Sequence, residues 1–572
     1  YRHESLNANE WFNNKTKVVR PRYRYQNFGG TIGGPLIIPG TSFNKSRQKV
    51  FFFFSYDKLF NNTTSFATYT MPTTLEKQGD FSKTVTTAGA QIPVYDPTTQ
   101  QQFPGNIIPA TRINPIGQAM LNLFPTPDPA GLALDPTGQK QYNFRFPQQQ
   151  LRPLDDKILR MDYAISQKLM AYVRLLQDYQ AQNGYNVTVG PPGGAWGQFP
   201  ASYHVQSAGA LGTLIHTISP TLINEISFGI NRGLQGVGPL DDASQNKNNG
   251  GVRTYAQSLL PLKDVNGNAL TLPRINASSN YLNLLPAVNF GLPSNYSAQS
   301  SGLGVTNAPT FSLDSRWPFT GTDQLVTIQD KVTWVKGSHT LKAGFYYERM
   351  ARNVSVYSVY NAAGTYYFGS DRANPLDAGY PYANAMVGSI FAYGDDNTKL
   401  VNHARYTQFE WYLQDTYKAT RRLTFDYGAR FYRVGDLNSA GATLGLFDQA
   451  SFDASKAGQL LFPACSVTVS GACPAASKIA VNPKTGQVFP YVRQGTFDTA
   501  SYAAGSLPYS GIKYYKSHFW NVAPIQVSPR AGFAWDVFGD GKTAIRGGFG
   551  IITGRNWTVD YIGALSAGQG PM

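Results

Sequence analysis

Leu423-Thr424-Phe425-Asp426-Tyr427-Gly428-Ala429-Arg430-Phe431-Tyr432 alternates strictly over ten residues. Leu423, Phe425, Tyr427, Ala429 and Phe431 share one face; Thr424, Asp426, Gly428 and Arg430 share the other. Successive side chains on a strand point to opposite sides, so this segment predicts a strand with one apolar and one polar surface. The preceding segment, 407–418, sets Phe409, Trp411 and Leu413 against Gln408, Glu410 and Gln414. Ala419-Thr420-Arg421-Arg422 joins the two, which predicts a β-hairpin.

The unit recurs. Segments 157–164 and 170–180 flank Ile165-Ser166-Gln167-Lys168, and 209–218 and 224–231 flank Ser219-Pro220-Thr221. Segments 325–335 and 340–349 flank Lys336-Gly337-Ser338-His339, and 530–536 and 544–552 flank Gly539-Asp540-Gly541. An earlier pair, 27–38 and 49–59, has a longer turn. The expectation is about six hairpins and about twelve strands of roughly 9–12 residues. Between hairpins lie 60–155, 181–205, 233–322, 353–404 and 435–526, most of them longer than ordinary loops and rich in Gly, Pro, Asn, Ser and Tyr. One holds a predicted short helix, 113–124, closed by Pro125.

Every short turn therefore falls at one end of the strands and every long loop at the other. That parity describes an all-β, large antiparallel transmembrane β-barrel with short periplasmic turns and long extracellular loops. Only helices and closed barrels pair all their backbone polar groups inside a bilayer. Apolar faces then look outward, and Glu225, Lys342, Glu348, Asp426, Arg430 and Arg546 are expected to face a polar lumen. Trp334, Tyr417 and Trp535 adjoin short turns, where an aromatic girdle belongs. Asp330 and Asp415 break the pattern, falling in register with apolar neighbours; either a bulge shifts the register or they lie near the interface.

Composition agrees. Only 15% of the 572 residues are charged, while 56 Gly, 36 Pro and 77 aromatic residues favour strands and turns over disorder. The net charge of +15 is spread along the chain with no basic run, so no nucleic-acid partner is expected. No window of 18 consecutive apolar residues marks a membrane-crossing helix. The chain opens on Tyr1-Arg2-His3-Glu4, without a signal-peptide pattern, and is expected to be a fragment. Cys465 and Cys473, eight apart and the only cysteines, suit a loop disulfide in an oxidising compartment or two free thiols.

Several segments resemble a known family. Asn27-Phe28-Gly29-Gly30-Thr31-Ile32-Gly33-Gly34-Pro35-Leu36 and Phe51-Phe52-Phe53-Phe54-Ser55-Tyr56 resemble the early barrel of Oar-like TonB-dependent outer-membrane receptors. Gly79-Asp80-Phe81-Ser82, Pro104-Gly105-Asn106-Ile107-Ile108-Pro109, Gly337-Ser338-His339-Thr340-Leu341-Lys342-Ala343-Gly344 and Ser528-Pro529-Arg530-Ala531-Gly532-Phe533-Ala534-Trp535-Asp536 are similar to further segments of that family. The resemblance implies a barrel of about 22 strands, closed by a plug and energised by the inner-membrane TonB complex. Residues 1–572 would then be a partial barrel in the bacterial outer membrane, with signal peptide, plug and C-terminal strands absent.

Catalytic signals are weak. Asp540-Gly541-Lys542-Thr543 ends like a phosphate loop, but Asp536 stands where its first Gly belongs. The six histidines are dispersed, and Asp241-Asp242 and Asp395-Asp396 match no EF-hand. No cofactor, metal or enzymatic step is expected. The resemblance implies uptake of an unidentified ligand, such as an oligosaccharide, peptide or metal chelate. Tyr357, Tyr360, Tyr366 and Tyr367 are the candidate ligand-stacking residues. Outer-membrane lipid and anionic lipopolysaccharide are expected partners of the basic chain. The competing reading is a secreted or surface adhesin or glycan-binding module without transport.

Overall fold

Twelve long strands follow one another in one antiparallel sheet whose spatial order is the order of the sequence. They are β1 (Tyr23–Pro35), β2 (Val50–Tyr69), β3 (Phe144–Ala164), β4 (Leu169–Gly184), β5 (Ala201–Ser219) and β6 (Leu222–Pro239). The second half holds β7 (Phe319–Lys336), β8 (His339–Ser355), β9 (Val401–Lys418), β10 (Leu423–Val434), β11 (Gln526–Asp536) and β12 (Ala544–Gly550). Two-residue strands, Arg2–His3 and Asn438–Ser439, pair with β1 and β9. The computed structural model describes residues 1–15, 17–134, 142–185, 196–197, 200–239, 258–274, 283–291, 304–311, 319–355, 363–371, 376–395, 401–435, 437–439, 444–452, 459–468, 473–474, 477–490, 493–494, 498, 510–515 and 524–553. The sheet is not closed; β1 and β12 stand near its two ends.

All six hairpins form, and every strand but β12, which ends at Gly550, outruns the expected one at the long-loop end. Thus β2 runs on to Tyr69 and β3 begins at Phe144, so the first loop is shorter than 60–155. There the strands turn polar on both faces, as in Asn61-Asn62-Thr63-Thr64-Ser65 and Gln148-Gln149-Gln150, and alternation no longer marks them. At the other end turns are tight. Lys336 pairs with His339 across Gly337-Ser338, and Gly337 takes φ +59, a left-handed conformation that glycine adopts without a Cβ penalty.

The register carries one apolar face across the whole sheet. Phe228 pairs with Ile328, Ile328 with Tyr347, and Tyr347 with Phe409. Phe228, Ile328 and Phe409 are exposed, a condition that only an apolar surrounding makes favourable over so large an area. One residue along, Ser227, Gln329, Tyr346, Glu410 and Tyr432 form the opposite row. Trp334, Tyr417 and Trp535 all fall on the apolar face at the short-turn end.

Asp330 and Asp415 also lie on the apolar face, and the pairing around both is unbroken, so no bulge explains them. Each has polar partners on neighbouring strands instead. Asn224 donates its side-chain N–H to Asp330 at 2.6 Å, and His339 and Tyr427 meet Asp415 at 2.7 and 2.8 Å.

Candidate functional site

The polar face of the sheet is a lattice of paired charges. Glu225 faces Lys331 at 2.8 Å, Arg160 faces Asp162 at 2.7 Å, and Arg430 faces Glu410 at 2.9 Å. Arg352 lies 3.2 Å from Asp323. Gln414 donates to Asp426 at 2.7 Å, and Arg530 donates to Gln414. Glu348 accepts from both Tyr346 and Tyr406. Register places Glu225, Lys342, Glu348, Asp426, Arg430 and Arg546 together on this face. Such pairs are modest in energy where water reaches them; their effect is a wettable wall bearing both signs.

Above that wall the long loops build a folded cap with a hydrophobic core, which loop composition did not reveal. Trp196, Phe124, Phe290 and Tyr382 come from four different loops and touch in sequence, with ring centroids 5.4, 5.3 and 4.6 Å apart. Met71, Phe81, Ile108, Met120, Leu121, Phe311 and Met386 fill the same core and are almost wholly buried. Fully burying a large apolar side chain contributes about 1.5–3 kcal/mol, so the cap holds itself together. One available signal was the apolar spacing of the predicted helix 113–124, which leaves a face that must be covered.

Three helices organise the cap: α1 (Thr74–Lys77), α2 (Pro115–Asn122) and α3 (Pro381–Val387). Helix α2 starts at Asn114, whose side chain accepts from the N–H groups of Ile116 and Gly117 at 3.0 and 3.1 Å, with Pro115 at the first turn. Helix α3 ends at Gly388, φ +76, in the left-handed cap conformation. The two helices touch through Gly117, where any Cβ would overlap the carbonyl oxygen of Ala385. Asn114 N–H donates to the Met386 carbonyl at 2.6 Å.

Helix α1 opens with a capping box between Thr73 and Glu76. The Glu76 carboxylate is buried and accepts from Thr73 N–H at 2.8 Å and Thr84 Oγ at 2.7 Å. Burial pushes its pKa up in spite of those bonds. Burial likewise holds the Tyr380 and Tyr382 phenols well above their usual range.

Tyr366 and Tyr367 belong to this packing rather than to an open surface. They sit in a small sheet of Ala287–Asn289, Thr365–Tyr367 and Ala392–Gly394 and are only 4% and 8% exposed. Tyr366 packs on Tyr393 and donates its hydroxyl to the Pro273 carbonyl. Asp395 accepts from Tyr393 at 3.1 Å. Tyr357, Tyr360, Asp241, Asp242 and Asp396 lie outside the described residues. Cys465 and Cys473 form a disulfide beside the strand Phe462–Cys465. A cleft of about 410 Å³ opens at the long-loop end of β1–β3, lined among others by Glu10, Arg22, Tyr23, Thr63, Phe66 and Arg145. Among the described residues, no three His, Cys, Asp or Glu side chains are placed to hold a metal ion.

No helix among the described residues is long and apolar enough to cross a membrane. The family model described as "Outer membrane beta barrel domain" matches residues 1–570. The chain belongs to that family. As an outer membrane β-barrel domain it resides in the bacterial outer membrane, with the exposed apolar face against lipid. No curated protein matches it. Among solved structures, it is similar to the outer membrane transporter YddB from Escherichia coli, at 8% identity and a TM-score of 0.37 over 92% of this chain. It is also similar to the copper transporter OprC, at 8% identity and 0.30 over 92%, and to the ferric-catecholate import receptor Fiu from E. coli K12, at 8% and 0.26 over 91%. The barrel domain spans 38% of YddB, 45% of OprC and 68% of Fiu.

Proposed function

We propose that the chain forms part of an Oar-like, TonB-dependent receptor that imports a ligand across the outer membrane. The observation that carries this reading is the polar, ion-paired wall of the sheet lying beneath a cap folded from four loops. A ligand captured at the outer surface would meet groups of both signs along its path. The sequence resemblance supplies the energy source, the inner-membrane TonB complex, and a plug whose movement opens the path. The reading contains no chemical step, so the chain acts as a receptor and not as an enzyme. The ligand class is an oligosaccharide, a peptide or a metal chelate. The buried positions of Tyr366 and Tyr367 make them supports of the cap; contact with ligand falls to residues on the cap's surface.

The test is uptake by cells carrying the intact gene, a deletion, or the intact gene without TonB. Labelled maltodextrin, a labelled peptide digest and a radioactive ferric catecholate serve as probes. Transport predicts that one class accumulates only in cells with both the receptor and TonB. Equal accumulation in all three strains for every class would overturn it. Receptor-dependent binding of cells to glycan surfaces, unaffected by TonB loss, would then support adhesion instead.

A further inference from the structure

The short turns carry cations and almost no acids. The first turn, 36–49, holds Lys45, Arg47 and Lys49, and the second, 165–168, holds Lys168. Lys336 ends β7 and Lys418 ends β9; Arg421 and Arg422 follow in the next turn, and Lys542 lies in the last. All nine are exposed, and none makes an ion pair among the described residues. Only the turn between β5 and β6 lacks a cation. Asp540 is the one carboxylate within these turns, and it accepts from the N–H of Lys542 at 3.0 Å. Asp536, at the end of β11, accepts from the N–H groups of Gly539 and Gly541 at 2.9 and 3.0 Å.

The turns are also tied to one another. The carbonyl oxygen of Lys49 accepts from Ala164 N–H at 2.7 Å, and that of Lys168 from Thr217 N–H at 2.7 Å. Thr221 accepts from Val335 at 2.8 Å, Ser338 from Lys418 at 2.9 Å, and Arg422 from Asp536 at 2.8 Å. One such bond joins each hairpin to the next, so the six turns hold one register. Inside the first turn, the Asn44 side chain donates to the carbonyls of Leu36 and Val50 and accepts from Lys49 N–H, which fixes 45–49. Strand spacing sets successive turns roughly 10 Å apart along the rim. The lumen wall pairs its charges, as Glu225 with Lys331 and Arg430 with Glu410; the rim leaves its charges open.

We propose that this rim binds the peptidoglycan layer beneath the outer membrane, through the free carboxylates of its stem peptides. Trp334, Tyr417 and Trp535 mark the headgroup level, and Lys336, Lys418 and Lys542 lie beyond it, on the periplasmic side. A polymer that repeats its negative charge suits cations that repeat from hairpin to hairpin; a single phosphate would engage one turn. Turns already held in register lose little freedom on binding. This site is independent of import and stands on the chain's place in the outer membrane.

The experiment sediments the protein, purified from the outer membrane in uncharged detergent, with isolated sacculi stripped of bound protein. An exposed ion pair is worth up to about fivefold in binding, so K45Q/R47Q/K49Q/K418Q/R421Q is expected to weaken retention by more than about tenfold. Sacculi whose carboxylates have been amidated are expected not to retain the wild type, and about 0.5 M salt weakens its binding to native sacculi. Carbodiimide coupling of the wild type to native sacculi is expected to leave muropeptides on Lys45, Lys49, Lys168 or Lys418. Retention of the Gln variant equal to wild type overturns the proposal; if that variant instead loses phosphatidylglycerol vesicles, the rim is a contact with inner-leaflet lipid. Equal retention of the wild type by amidated sacculi also overturns it. If the Gln variant fails to give the compact band of a folded barrel in unheated gels, the coupling map decides alone: muropeptides found only on lysines outside the short turns overturn the proposal.

Discussion

On the lipid-facing side His339 sits opposite Lys336 and Tyr417, Asp415 sits opposite Leu341 and Tyr427, and His339 Nδ1 lies 2.7 Å from Asp415 Oδ2. His339 also stacks on Tyr417, with ring centroids 4.3 Å apart. Tyr427 donates to the same carboxylate oxygen at 2.8 Å. A carboxylate on an apolar face is tolerated because two neighbouring strands supply its partners. Replacing His339 with Ala should lower the temperature at which the unheated-gel band shifts by several degrees. H339A/D415L should recover most of it, because removing the carboxylate removes the need for its partners.

Neighbouring residues on β7 test the two faces directly. Ile328 faces lipid and Gln329 faces the polar side. Ile328→Arg is expected to cost about 2–4 kcal/mol if it lies near mid-bilayer, while Gln329→Arg costs less than about 1 kcal/mol. Urea unfolding in lipid vesicles measures both, and equal losses would contradict the assignment of faces.

Gly117 is the contact that lets α2 and α3 approach. Gly117→Ala forces the helices apart and should destabilise the cap by about 3 kcal/mol. Hydrogen exchange should show lost protection in 115–122 and 381–387 while the strands keep theirs.

Glu76 makes the cap pH-dependent. Its folded pKa is raised above the unfolded value, so the fold favours the protonated form. Cap stability is fully present below the unfolded value of about 4.3 and declines as pH rises through the folded pKa. Glu76→Gln should flatten that dependence. Protease protection of loop 70–134 between pH 4 and 8 reads the effect, and an unchanged slope in the variant would remove Glu76 as its source.

The disulfide closes a short loop, so C465S/C473S should weaken the local sheet of Phe462–Cys465, Lys478–Val481 and Val488–Pro490 by about 2–3 kcal/mol. The heat-induced gel shift of the barrel should not move.

The hairpins were legible because bilayer and lumen impose opposite chemistry on alternate residues, as in Phe425-Asp426-Tyr427. The strand ends were not, because Asn62 and Gln149 leave the bilayer and meet water on both sides. The six expected lumen residues follow from the same alternation. The cap was not legible because the ring contacts that close it, Trp196 to Phe124, Phe124 to Phe290 and Phe290 to Tyr382, each join two different loops. Periodicity reports a residue's own element; it says nothing about contacts made across hundreds of positions.

The aromatic chain Trp196–Phe124–Phe290–Tyr382 has a consequence for the order of assembly. Its members come from connections separated by β3 to β8, so the cluster cannot close until those strands have paired. Contacts so distant in sequence form late, after the loop-closure entropy between them has been reduced by nearer pairings. Each loop must therefore reach the outer side without its core, exposing aromatic surface on the way. The closed cluster is a record that β3 to β8 beneath it have paired.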